Sequence, residues 1–316
     1  MGSDTPASMR REGFAMLQAI SQDISQIPGC SVVTTLERGF PAELAGEVIQ
    51  VANAADENAV FQRLLRETDA VHVIAPETDG ILAERCRQVQ VAGTASWNCS
   101  PHAIELCGDK LRLADHLQAR GLPTISTALA SLARPDNEET WPRVLKPRDG
   151  AGSCFTFLVR DENEWEQAAH SFHEAGIADK CLVQPFISGR ALSIGINVSL
   201  DGRRMECLPV GEQHLSNDGR FHYLGGSIPA GIPSATSEAI RSLALAACRA
   251  IQGLAGYIGI DVLLTDQGDP VIVEINPRLT TSYVGYRRLY SQPLPNFWLS
   301  SIDTLPHTNW RTIQFK

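Results

Sequence analysis

The segment Val271-Ile272-Val273-Glu274-Ile275-Asn276-Pro277-Arg278 constrains this chain most, because it sets a carboxylate and a carboxamide two residues apart in an apolar β run, with an arginine after them. Side chains two apart on a strand share one face. Just upstream, Gly259-Ile260-Asp261-Val262-Leu263-Leu264 also reads as a strand, and Thr265-Asp266-Gln267-Gly268-Asp269-Pro270 between the two is dense in turn formers. The pair predicts a β-hairpin. A register symmetric about its turn sets Asp261 opposite Glu274, and two facing carboxylates repel unless a cation lies between them. Magnesium takes one or two protein carboxylates and fills its other positions with water and substrate phosphates. Asp261, Glu274 and Asn276 therefore read as a site for a metal-bound nucleotide; the plainer alternative is a hairpin with a polar outer face.

The other parts of a nucleotide site follow from lysine, which is scarce: Lys110, Lys146, Lys180 and Lys316 are the full set. Val144-Leu145-Lys146-Pro147 reads as a short strand that leads into Arg148-Asp149-Gly150-Ala151-Gly152-Ser153 and then a second apolar run, Phe155 to Val159. A glycine-rich turn between strands can close over phosphates with backbone N–H groups, here at Gly150, Gly152 and Ser153. A plain hairpin fits the same turn. Neither G-x-x-x-x-G-K-[ST] nor a G-x-G-x-x-G after a strand occurs, so neither a P-loop nor a simple dinucleotide reader is indicated. Downstream, Cys181-Leu182-Val183-Gln184-Pro185-Phe186-Ile187 reads as a strand running into a hinge. Its free backbone groups suit an adenine edge; Pro185 has no N–H, which leaves that bonding to Gln184, Phe186 and Ile187.

This order of parts resembles the ATP-grasp carboxylate–amine ligases over roughly residues 100 to 290. The resemblance implies an α/β and α+β chain, an ATP-grasp fold with a small parallel α/β domain at its N-terminus. The units it implies are 1–100, an ATP-binding lid unit over 101–185, and a C-terminal unit over 186–316 that carries the metal residues. It implies ATP and Mg²⁺ as cofactors, with Mn²⁺ as the alternative ion, and small-molecule carboxylate and amine substrates. Lys110 and Lys146 would contact ATP, Gly150, Gly152 and Ser153 would form the lid loop, and Gln184, Phe186 and Ile187 would hold adenine. Asp261, Glu274 and Asn276 would ligate the metal, and Arg278 would act on the carboxylate or the acyl phosphate. One position departs from the pattern: Ala191 stands where the family commonly has an acid for the ribose. Ala75-Pro76-Glu77-Thr78-Asp79-Gly80, Pro101 to Cys107, and Arg278 to Gly285 further resemble the tyramine–L-glutamate ligase group of methanofuran biosynthesis and its bacterial relatives. That group joins glutamate to an aromatic amine, so tyramine or a tyrosine-like amine is the expected acceptor. Another amino-acid acceptor, or an ATP-binding module without turnover, is the alternative.

At 316 residues, 43% hydrophobic and 20% charged, the chain has the composition of an ordinary globular protein with room for two or three packed units. A net charge of -9 and no Lys/Arg block argue against nucleic acid. The 8 cysteines are scattered, with no C-x-x-C and no histidine at zinc spacing, which suits free thiols in a reducing cytosol. No stretch approaches the length of a membrane span, and residues Gly2 to Ser8 read as a floppy leader. A cytoplasmic protein is expected, and a homodimer is left open.

Along the chain, Arg11 to Gln26 has helical spacing and Cys30 to Leu36 reads as a strand. Ala70 to Ala75 reads as a second strand, then a helix from Ile81 to about Val91. Small parallel sheets bind ligands beyond the carboxyl ends of their strands. Glu77 and Asp79 fall at such an end, where either could hold a substrate ammonium, or Asp79 could cap the helix and Glu77 be a solvated loop acid. Helices are expected over 101–121, 162–175 and 237–253, a polar connector over 133–140, and a loop over 211–231 that carries His214 and His222. Thr280-Thr281-Ser282-Tyr283 either binds the carboxylate or caps the next helix.

Overall fold

The computed structural model describes residues 7–40, 43–132, 141–150, 152–299 and 313–315. Residues 2–6 of the expected leader, the connector over 133–140 and Ala151 of the glycine-rich turn lie outside them; the leader's last two residues begin the first helix.

The N-terminal part alternates helix and strand: α1 (Ala7–Ser25), β1 (Val33–Glu37), β2 (Glu47–Val51), α2 (Ala54–Glu67), β3 (Ala70–Val71), α3 (Ile81–Ala92) and β4 (Ala95–Ser96). β1 pairs with β2 and β3 with β4, both parallel, and α3 makes the helical crossover between β3 and β4. Local chemistry sets the helix ends. Asn53 caps α2 by accepting from the N–H groups of Ala55 and Asp56, and α3 stops at Gly93 with φ 77.

The helix expected over 101–121 is two helices, α4 (Pro101–Gly108) and α5 (Lys110–Gln118). Asp109 breaks it: its backbone is extended, and its side chain accepts from the N–H of Arg112 to start α5. Next come β5 (Ala128–Leu129), β6 (Arg143–Pro147), β7 (Phe157–Val159), α6 (Glu162–Glu174) and β8 (Cys181–Pro185). These strands form an antiparallel sheet in the order β5-β8-β6-β7, whose apolar face is filled by Trp165, Ala168 and Phe172 of α6.

The rest of the chain builds a larger sheet from β9 (Gly189–Val198), β10 (Met205–Cys207), β11 (Gly211–Leu215) and β12 (Tyr223–Ile228). After α7 (Ser234–Ala250) the strands β13 (Gly256–Thr265) and β14 (Pro270–Asn276) join it, followed by α8 (Ser282–Tyr286), α9 (Asn296–Leu299) and β15 (Ile313–Phe315). Its order is β14-β13-β9-β11-β12-β15, with β10 also on β9. The stretch 211–231, expected as a loop, thus supplies two strands. Pairing overrides the weak strand propensity of Gly225 and Gly226, which sit opposite His214 and Gln213.

Alternation along the two central strands decides what covers each face. Leu192, Ile194, Ile196 and Val198 of β9 and Ile258, Ile260 and Val262 of β13 enter a core with α4 and α7. The opposite face packs Tyr257 and Leu208 against Met16 and Ile20 of α1 and Tyr283, Tyr286, Phe297 and Trp298 near the C-terminus. Backbone and rings approach closely there: a Cβ on Gly195 would stand 2.8 Å from Leu208 Cδ1 and 3.0 Å from the rings of Tyr257 and Tyr286. Asp261 lies one residue from Ile260 and Val262 and so projects to the side opposite the α7 core. No helix among the described residues is long and apolar enough to cross a membrane.

Candidate active site

Asp261 pairs directly with Glu274 across the β13–β14 hairpin. The symmetric register holds only on this side of Asp261. Beyond it Val262 pairs with Ile272, so Val273 is an extra residue in a β-bulge. Symmetry throughout would have paired Ile272 with Leu263 on the face of Asp261. The bulge returns Ile272 to the core beside Ile275, both fully buried, while Glu274 stays against Asp261.

The polar groups meet at this point. Gln213 Nε2 donates to Asp261 Oδ1 at 2.8 Å, and Asn276 Nδ2 donates to Oδ2 at 3.3 Å. Lys110 Nζ donates to the carbonyl of Gly150 at 3.0 Å and stands 3.7 Å from Glu274 Oε2. Burial pushes the Lys146 ammonium down to about 8, with Lys110 adding to the fall and Glu274 and Asp261 opposing it. Burial and the charge of Glu274 push the Asp261 carboxyl well above the usual carboxylate range. Burial acts the same way on Glu274, but Lys110 and Lys146 outweigh it and hold that carboxyl down. The two facing carboxyls are thus driven apart in proton affinity, Asp261 upward and Glu274 downward.

Of the remaining expected residues, Arg278 Nε donates to Glu77 Oε2 at 2.8 Å, and both side chains are largely buried. Glu77 is therefore no solvated loop acid. Asp79 caps no helix; it is exposed and pairs with Lys180, which also reaches Asp149. The backbone is left-handed at Gly150, Gly152 and Ser153, with φ 143, 71 and 57, in the connection that joins β6 to its antiparallel neighbour β7, so the glycine-rich turn is also the turn of a hairpin. Gln184 is buried and donates to Thr127 Oγ1 at 2.7 Å. Phe186 spends its N–H on the carbonyl of Pro142 at 3.1 Å, and its ring lies 6.4 Å from that of Phe221. Ile187 follows, partly exposed, at the hinge. Ala191 pairs with Leu263 and offers no side-chain acceptor for a ribose. His214 and His222 are exposed. Tyr283 is outside the site: its hydroxyl donates to Asp23 Oδ2 at 2.6 Å in the buried contact between α1 and α8. Thr280 and Ser282 are occupied by Tyr257 and Ser193, and neither caps α8 with its side chain.

Two further side chains, Gln213 beside Asp261 and Glu12 near Arg278, carry no motif in the sequence. Gln213 sits in the stretch taken for a loop. Glu12 projects from α1 into the field of Arg278, and burial raises its carboxyl against the pull of that guanidinium and of Arg11. Only the helical spacing of α1 marks it, and spacing does not distinguish a solvated acid from one facing a site.

Two connected spaces lie beside these groups. The inner one, about 10 Å³, is lined by Glu77, Cys107, Gly108, Lys110, Gly150, Glu274, Ile275 and Asn276. The outer one, a cleft of about 400 Å³, shares Glu77 and Gly108 with the inner one and is lined as well by Arg112, Arg148, Asp149 and Lys180.

Two acids on one sheet and a buried lysine on another meet at this site, and the ATP-grasp domain family matches residues 107–282, more than half of the chain. The chain belongs to that family. A pre-ATP-grasp domain matches residues 30–104. Among individual proteins, the chain is 26% identical to the tyramine–L-glutamate ligase of Methanocaldococcus jannaschii over 286 residues, 88% of this chain and 79% of that protein. The enzyme of the same name from Methanocaldococcus fervens is 26% identical over 243 residues, 76% and 70% of the two chains. The crystal structure of an ATP-grasp superfamily protein from Archaeoglobus fulgidus superposes with a TM-score of 0.72 at 25% identity, covering 94% of this chain and 84% of its own.

Proposed function

We propose that the chain is an ATP-dependent ligase that joins a carboxylic acid to an amine through an acyl phosphate. The observation that carries this reading is the facing pair Asp261 and Glu274 with Lys110 and Lys146 beside it. The donor set suits Mg²⁺: two carboxylates and one carboxamide at one face, where a divalent ion would relieve the repulsion between the facing acids. Asp261, Glu274 and Asn276 would hold the ion, which when bound supplies charge neutralisation and alignment for phosphate oxygens. Lys146 and Lys110 bind the phosphate chain, the turn at Gly150, Gly152 and Ser153 covers it, and Gln184, Phe186 and Ile187 line the adenine end. Arg278, held in place by Glu77, faces the carboxylate being activated.

The acid oxygen attacks the γ-phosphorus and ADP leaves; the amine nitrogen then attacks the acyl carbon, and the C–O bond to phosphate breaks. No protein nucleophile is required. The residues position the reactants and balance the charge on the transferred phosphoryl group. The same reading divides the chain into the units 1–100, 101–185 and 186–316.

Glutamate with tyramine is the first substrate pair to test, supported by the likeness to the two tyramine–L-glutamate ligases. An amino acid in place of tyramine is favoured by one observation, the charged lining of the outer cleft, in which no aromatic side chain takes part. With ¹⁸O in the carboxylate, turnover should deliver label to inorganic phosphate. Label in AMP would mean adenylation and would overturn the reading.

A further inference from the structure

Glu77 and Gly108 line both the inner space and the outer cleft and so form the neck between them. A Cβ on residue 108 would stand 3.0 Å from Glu77 Cβ and 3.5 Å from its Cγ, so the neck depends on the missing side chain there. Glu77 is 8% exposed. Its Oε2 is taken by Arg278, but Oε1 is buried without a hydrogen-bond partner. Buried polar atoms are nearly always satisfied, and an orphan carboxylate oxygen beside a cavity marks a place where a donor arrives. Glu77 also lines the outer cleft, whose volume of about 400 Å³ has room for the body of an amine. The other acid of the segment is unsuited, because Asp79 is exposed and spent on Lys180.

We propose that Glu77 Oε1 receives the ammonium of a primary amine that enters by the outer cleft and passes the Gly108 neck. Glu77 then serves two partners, Arg278 through one oxygen and the incoming amine through the other. This rests on the ligase reading above. Before attack the ammonium gives one proton to solvent through the cleft. The neutral nitrogen forms the bond to the acyl carbon, and its second proton leaves on phosphate as the C–O bond breaks.

The test uses the full chain with ATP, Mg²⁺ and glutamate, comparing hydroxylamine, which is neutral near pH 7.5, with the cationic amines tyramine, tyrosine and ethylamine. Wild type that forms no ATP-dependent hydroxamate would refute the ligase reading itself. Where hydroxamate forms, Glu77→Gln should raise KM for the accepted cationic amine about tenfold or more, the worth of one charged hydrogen bond. Its KM for hydroxylamine should rise far less. Gly108→Ala, which keeps the Glu77 carboxylate but crowds its Cβ and Cγ, should show the same split by narrowing the neck. Equal losses for neutral and cationic amines in both variants, no loss in either, or refusal of all three cationic amines by wild type would overturn the proposal. Tyramine accepted with tyrosine refused assigns the cleft to an aromatic amine; the reverse assigns it to an amino acid.

Discussion

Asp261 and Glu274 occupy one site with opposite proton affinities, and the difference comes from what stands next to each. Glu274 has Lys110 at 3.7 Å and Lys146 in its field; Asp261 has two amide donors and the charge of Glu274. Replacing Glu274 by Gln leaves two lysines without their counter-charge, and Asp261→Asn removes a charge that would face the metal. Under the proposed roles, each variant should lower kcat by about 10²-fold or more, the typical loss on removing one preorganised charge partner. Glu274→Gln should also lower the pKa of Lys146 further, which a pH titration of lysine NMR signals would detect. Near wild-type kcat at saturating ATP and Mg²⁺ in either variant would contradict the facing-carboxylate site. Much of this was legible in sequence, because alternation on a strand and a turn of known composition suffice to bring 261 opposite 274. The links from Glu77 to Arg278 and from Gln213 to Asp261 were not, since they join residues 201 and 48 positions apart that no periodicity relates.

At the level of elements, close backbone contacts aim the site. A Cβ on Gly259 would lie 2.4 Å from Thr280 Cγ2, and Thr280 is itself held at 3.1 Å by the hydroxyl of Tyr257. Gly259→Ala should therefore push the turn that carries Arg278 away from β13 at a cost of about 1–3 kcal/mol, the usual range for overpacking. Urea unfolding measures this; an unchanged midpoint would mean that the contact yields freely. The sequence reading of elements failed where local signals were ambiguous. The unbroken helical pattern of 101–118 hid the break at Asp109, and α2 was passed over although Asn53 caps it and Asp56 and Glu57 occupy its first turn. Ile104 and Cys107 of α4 and Leu113 and Leu117 of α5 bury in the core under the larger sheet. Tertiary packing decides such membership, and pattern along one helix does not report which neighbour it meets.

At the scale of the whole molecule, the N-terminal part meets the C-terminal part through His72, whose ring stacks on Trp298 at 5.6 Å with Nδ1 on the carbonyl of Trp97. Burial pushes this imidazole down to about 4, below the 6.5 of an exposed histidine. Between those values the unfolded chain binds a proton that the folded chain refuses, so stability falls as pH drops from 6.5 toward 4, by roughly 3 kcal/mol at most for this group. His72→Asn should flatten the loss measured by denaturant titration at pH 7 and pH 5, and an identical slope in the variant would place the acid sensitivity elsewhere. The bulge at Val273 bears on how such a chain can vary. Deleting that single residue would leave Val262 opposite Ile272 and Asp261 opposite Glu274, so the hairpin would become regular and lose only its local bend. The same deletion would keep the two acids face to face, so the extra residue supplies the bend of the strand beside the site and not the pairing itself.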